Sequence, residues 1–176
     1  SFFRELDHKY IHISLNNSDI MDFLAFVNPT YLLENHSKIL EDKVMVTPSF
    51  LGVLRNLVSD EGCFDLLKDK FSSESILQMP YFEQMVLLEK MTLFSHTTHF
   101  LLWESPRVMS NLIGNEDGHV IETESVKMRR KVFENLLRFT PQELNVWNQP
   151  LRDEYANIVN GGHNATPQPN VATTFL

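Results

Sequence analysis

His96 and His99, three residues apart in the run Ser95-His96-Thr97-Thr98-His99, are the residues best placed by type and spacing to do chemistry. Positions three apart on a helix share a face, so with Glu89 or Glu104 they would offer two imidazoles and a carboxylate to a metal ion. The run lacks the glutamate and the four-residue spacing of a metalloprotease helix. Histidines that form a polar lining, or that hydrogen-bond inside a core, are the better reading, and no metal site is expected. Cys63, the single cysteine, lies in Gly62-Cys63-Phe64, which matches no nucleophile signature. It reads as a small buried hydrophobe. No Gly-rich phosphate loop and no Gly-x-Ser-x-Gly elbow occurs. The chemistry expected is therefore binding: no catalytic residue and no cofactor.

The element that must carry these histidines is Met79 to Trp103. After Pro80 it has no further proline and no glycine, and apolar residues fall on every side of the helix it would form. A helix apolar nearly all round is buried in the middle of a domain. One central helix over about 81–103 is expected, with a multi-helix, mostly α, single-domain bundle around it. Asn28-Pro29-Thr30 and Thr47-Pro48 mark helix starts, and Thr140-Pro141-Gln142-Glu143 is a capping box with Pro at the first position. Gly62 reads as an interruption. Gly114 to Gly118 is the strongest turn signal, and a small β-hairpin near 114–123 is expected from it. Tyr10 to Leu15 alternates with period two and is open to strand or helix. No internal repeat is visible. The expected division is a helical region over 1–160 and a flexible Pro/Thr/Asn-rich tail over 161–176.

Composition sets the outer limits. The 176 residues can bury a core without a disulfide or metal. The formal charge of −8 argues against direct nucleic-acid contact, which needs clustered Lys and Arg. The basic run Lys127-Met128-Arg129-Arg130-Lys131 is short and reads as a solvated helix face. Cysteine scarcity suits a reducing, intracellular compartment, nucleus or cytoplasm. No apolar run is long enough for a membrane span, and no signal peptide is visible.

Within the central segment, Phe82-x-x-Met85-x-x-x-Glu89-Lys90-x-x-Leu93-Phe94 resembles the signature of nuclear hormone receptor ligand-binding domains, nearest to the divergent nematode members. The preceding Met79-Pro80-Tyr81 is similar to the short motif that family places before it. The resemblance centres on residues 79–123. It implies a long helix over Thr47 to Gln78, and helices after the hairpin from Glu124. Glu89 and Lys90 would lie nearer the surface. Three departures limit it: Leu77 stands where the coactivator groove has a basic residue, the activation helix is absent from the tail ending ATTFL, and no zinc-finger module with its eight cysteines is present. The expectation is a ligand-binding-domain fragment of a ligand-regulated transcription factor. A small lipophilic molecule would be lined by Met91, Phe94, Ser95, Thr98 and Leu102 and oriented by His96 or Thr97. Protein partners would be a co-regulator or a dimer partner. The alternative is a helical protein–protein interaction module with a filled core and no ligand.

Overall fold

The structure, a computed structural model, describes residues 17–114 and 122–164. All regular structure among the described residues is helical. In chain order the helices are α1 (Asn17–Phe26), α2 (Pro29–Lys43), α3 (Leu51–Leu57), α4 (Glu61–Leu67), α5 (Ser73–Leu77), α6 (Tyr81–Met91), α7 (Ser95–Glu104), α8 (Pro106–Gly114), α9 (Thr123–Leu136), α10 (Pro141–Leu144) and α11 (Asn148–Asn164). Single 3-10 turns at Pro48–Phe50, Lys68–Lys70 and Asn145–Trp147 join some of them.

The starts follow from local chemistry. Asn28 accepts from the Thr30 and Tyr31 amides, Asp60 from Cys63, and Ser72 from Ser75; each supplies a partner to amides that lack one within the helix. The capping box at Thr140–Glu143 forms as expected. Gly62 does not interrupt; it lies inside α4, where a Cβ would come within 2.6 Å of Leu33 Cδ2, so any side chain there would displace the Leu33 methyl of α2. Pro150 sits in the first turn of α11, where its missing N–H costs nothing.

The helices stack in two rows. One row runs α1, α3, α6, α9 and on to α11; the other runs α2, α4, α7 and on to α8. The core lies between the rows. Met85, Leu87, Leu88 and Met91 of α6 are fully or almost fully buried there, with Val132, Phe133 and Leu136 of α9 against them.

Two further expectations change. The single central helix over 81–103 is two helices, broken at Thr92-Leu93-Phe94. The Thr92 hydroxyl bonds the Leu88 and Glu89 carbonyls, Phe94 turns extended, and Thr97 Oγ1 donates to the Met91 carbonyl, which the Phe94 amide reaches only at 3.5 Å. Serine and threonine hydroxyls compete with the helical ladder in this way. The hairpin near 114–123 is not supported: α8 runs into Gly114 and α9 begins at Thr123, and residues 115–121 lie outside the described residues, as does the 10–15 segment. The pair Gly161-Gly162, where the tail was expected to begin, is still helical within α11; residues 165–176 lie outside the described residues.

Helix C-termini are closed by a recurrent device. A side chain from a later element donates to the last-turn carbonyls of an earlier helix. Asn56 serves Leu24 and Val27 after α1, Lys70 serves Glu41 and Val44 at the end of α2, and His96 serves Val58 after α3. Asn135 serves Glu89 in α6, Trp147 serves Leu102 in α7, and Arg129 serves Leu112 and Ile113 in α8. Last-turn carbonyls run out of intrahelical amide donors, and burying such groups unpaired would be costly.

Candidate functional site

The five residues expected to line a pocket do not share one environment. Met91, Thr98 and Leu102 are buried in the core. Phe94 is half-buried, its ring stacked on His96 at 5.8 Å with Lys90 Nζ 5.7 Å from its centroid, and Ser95 is exposed. Thr97 and Thr98 both direct their hydroxyls at the Met91 carbonyl. The polar cluster thus closes the break between α6 and α7. A shallow, open cleft of about 380 Å³ lies elsewhere, lined by Leu77, Pro106, Arg107, Ser110 and Asn111.

The residues weighed for chemistry are likewise placed by packing. His96 Nε2 donates to the Val58 carbonyl at 2.8 Å and its ring faces Phe64, whereas His99 is exposed. No three His, Cys, Asp or Glu side chains converge on a metal position among the described residues. The buried Cys63 thiol donates to the Pro29 carbonyl at 3.1 Å, and burial, with Asp60 beside it, pushes its pKa up to about 12. A thiol so raised stays protonated at neutral pH.

A second polar node joins α8, α9 and α11. Arg129 is 7% exposed. Its guanidinium donates to the α8 carbonyls described above and to Glu154 Oε2 at 3.1 Å, and it lies 4.8 Å from the Phe133 ring centroid. Arg55 plays the matching part between α3 and α6, donating to the Val86 carbonyl at 2.8 Å and pairing with Glu89 at 3.1 Å. Glu89, which resembled a signature residue, is therefore an inter-helix fastening.

What faces outward is more distinctive than what faces inward. Trp103, read as part of a buried helix, is 59% exposed at the end of α7, and Val146 is 70% exposed. The Trp147 indole N–H donates to the Leu102 carbonyl at 2.9 Å, so Trp103 and Val146, each one residue from that bond, share this end of the molecule. The chain arrives there through Asn145, whose φ of 53° is a conformation that side-chain-bearing residues rarely adopt. Nothing in a sequence pattern reveals that φ, and the reading of Trp103 as part of a buried helix gave no sign of its exposure.

The other outward feature is the solvent face of α9. Lys127, Arg130 and Lys131, and Arg138 just after the helix, are all exposed. Glu134 on this face accepts from Tyr155 Oη at 2.8 Å and from Arg130 Nε at 3.1 Å, which together hold its carboxyl below the ordinary range.

The family model described as DNA mismatch repair protein HSM3, C terminal domain, matches residues 1–176. The chain is similar to the DNA mismatch repair protein HSM3 of Eremothecium gossypii, 52% identical over 159 residues, which is 90% of this chain and 34% of that protein. Similarity to the same-named proteins of Candida glabrata and Saccharomyces cerevisiae is 38% in each case, over 89% and 94% of this chain and 33% and 35% of theirs. The chain spans about a third of the length of the curated relatives it matches.

These matches overturn the nuclear-receptor resemblance, and with it the ligand-regulated transcription factor and the lipophilic ligand. The structure supplies the physical reason. The long helix implied over Thr47 to Gln78 is two 3-10 turns and three short helices, and the signature segment breaks at Thr92 to Phe94. The motif had matched a common feature, a buried apolar helix with an acidic residue fastening it to a neighbour.

Proposed function

The chain belongs to the family of the C-terminal domain of the DNA mismatch repair protein HSM3, and from that premise we propose that it is a helical protein-interaction module with a filled core. The observation that carries this reading is the contrast between inside and outside. Carbonyls at six helix ends, in buried or part-buried positions, are closed by the protein's own side chains, while Trp103 and Val146 stand in solvent. Exposed Trp is the residue type that most often anchors a protein interface. Among the described residues no helix is long and apolar enough to cross a membrane.

The relatives are named for DNA mismatch repair, so in this reading the domain works beside DNA, in the nucleus, through contacts with proteins. A formal charge of −8 suits that division of labour. As a two-row stack of helices, the chain offers a long surface built from neighbouring elements, the use to which helical stacks are commonly put. No enzymatic step is assigned to it.

A photo-reactive residue at Val146 or Trp103, compared with one at exposed Asp69, tests the reading. A discrete protein adduct from the first two positions and none from Asp69 is expected. The captured partner, identified by peptide sequencing and then purified, should bind the full chain, and Trp103→Ala should weaken it by about tenfold or more. Protein adducts indifferent to position, or a partner whose affinity ignores Trp103, would refute it.

A further inference from the structure

The cationic face of α9 is only partly engaged by the fold. Arg129 points inward, but Lys127, Arg130 and Lys131 lie on the opposite side of the helix from Val132, Phe133 and Leu136, and Arg138 follows in the next turn. From Thr123 to Arg138 there are five cations and two carboxylates, in a chain whose balance elsewhere is strongly acidic. Of the two carboxylates, Glu134 is engaged by Tyr155 and Arg130, and Glu124 makes a solvent-exposed contact of 3.7 Å with Lys127. Exposed pairs of that kind hold weakly and exchange readily. Lys131 and Arg138 form no ion pair among the described residues. Val126, 44% exposed and one turn before Arg130, adds an apolar contact at the rim.

We infer that this face docks an extended acidic segment of a protein partner, carrying carboxylates on alternate residues. The spacing fits: Lys127 and Lys131, four residues apart, are separated by about 6 Å along the helix axis. Alternate side chains of an extended strand recur at about 6.7 Å. Duplex DNA fits less well, because two carboxylates border the face and the acidic remainder of the chain repels a polyanion that extends past it. The inference rests on the protein-interaction reading and names the chemistry of one partner for it.

The test is fluorescence anisotropy with the full chain and a labelled peptide alternating glutamate with serine, against its glutamine counterpart and against duplex DNA. Three chains are compared: unaltered, Lys127→Glu/Lys131→Glu/Arg138→Glu, and a control reversal at exposed Lys38→Glu/Lys43→Glu on α2. Circular dichroism checks that each folds, and Lys127→Gln/Lys131→Gln/Arg138→Gln replaces the reversed triple if it does not. Salt-sensitive binding of the glutamate peptide is expected, weakened about tenfold or more by the α9 variants and within twofold of unaltered in the α2 control. No binding of the glutamate peptide, equal loss in the α2 control, or tighter binding to duplex DNA would each overturn the inference. Those failures leave adducts at Trp103 and Val146 unaffected, whereas loss of both would bring down the wider reading.

Discussion

Replacing Arg129 by Met removes a buried guanidinium while keeping most of its stem volume. Three groups lose the guanidinium at once: the Leu112 carbonyl, with donors at 3.2 and 2.7 Å, the Ile113 carbonyl at 3.2 Å, and Glu154 at 3.1 Å, which keeps only the Asn157 amide. Breaking a buried pair from one side costs about 3–5 kcal/mol, chiefly from the groups left unpaired. The Glu154 side chain keeps 24% of its surface in solvent, so water recovers part of that cost, and about 3 kcal/mol is the expected loss. The damage should centre on the contacts of α9 with α8 and α11. Amide hydrogen exchange, measured by mass spectrometry where reclosing outpaces exchange, reads it directly: amides from Val132 to Leu136 should exchange about a hundredfold faster. Arg129→Lys, which keeps the charge but not the fork, should fall between, and Glu154→Gln should cost about 1 kcal/mol. Exchange in Arg129→Met within threefold of the unaltered protein would refute the view that this node fastens the end of the stack.

Three further outcomes follow from the same geometry. Asn145→Gly removes the side chain from a φ of 53° and should stabilise by about 1 kcal/mol, seen as a raised urea midpoint. Thr97→Val strips the hydroxyl that closes the α6–α7 break and should cost about 1–2 kcal/mol, with faster exchange in α7. Cys63 binds its proton more tightly folded than unfolded, so its share of stability is fully present below pH 9.0 and lost as pH rises towards about 12. The urea midpoint should therefore fall more steeply with alkalinity in the unaltered protein than in Cys63→Ala; equal slopes would show that the thiol does not contribute.

Capping chemistry was legible because it is local. Asn28 and Thr140 sit beside the amides they serve, so residue type and spacing suffice to place α2 and α10. The break at Thr92 to Phe94 was not, because its determinants are split. Phe94 gives no side-chain cap, and the hydroxyls that close the gap lie three and four residues further on, in a cluster that equally suits a polar lining. An all-round apolar pattern describes one long buried helix and two short ones alike. The same ambiguity produced the receptor resemblance: Glu89 and Lys90 had the right types, but Arg55, thirty-four positions earlier, determines what Glu89 does. Trp103 shows the converse, an apolar residue whose exposure depends on where α8 turns away.

The cross-helix closure of carbonyls has a temporal side. Leu24 and Val27 wait for Asn56, about thirty residues downstream; Val58 waits for His96, and Glu89 for Asn135. During synthesis each helix end therefore emerges from the ribosome before the group that seals it. The nascent chain carries these unfinished joints forward in overlapping succession, each completed when its later partner leaves the exit tunnel, so that translation itself orders the assembly from the amino end onward.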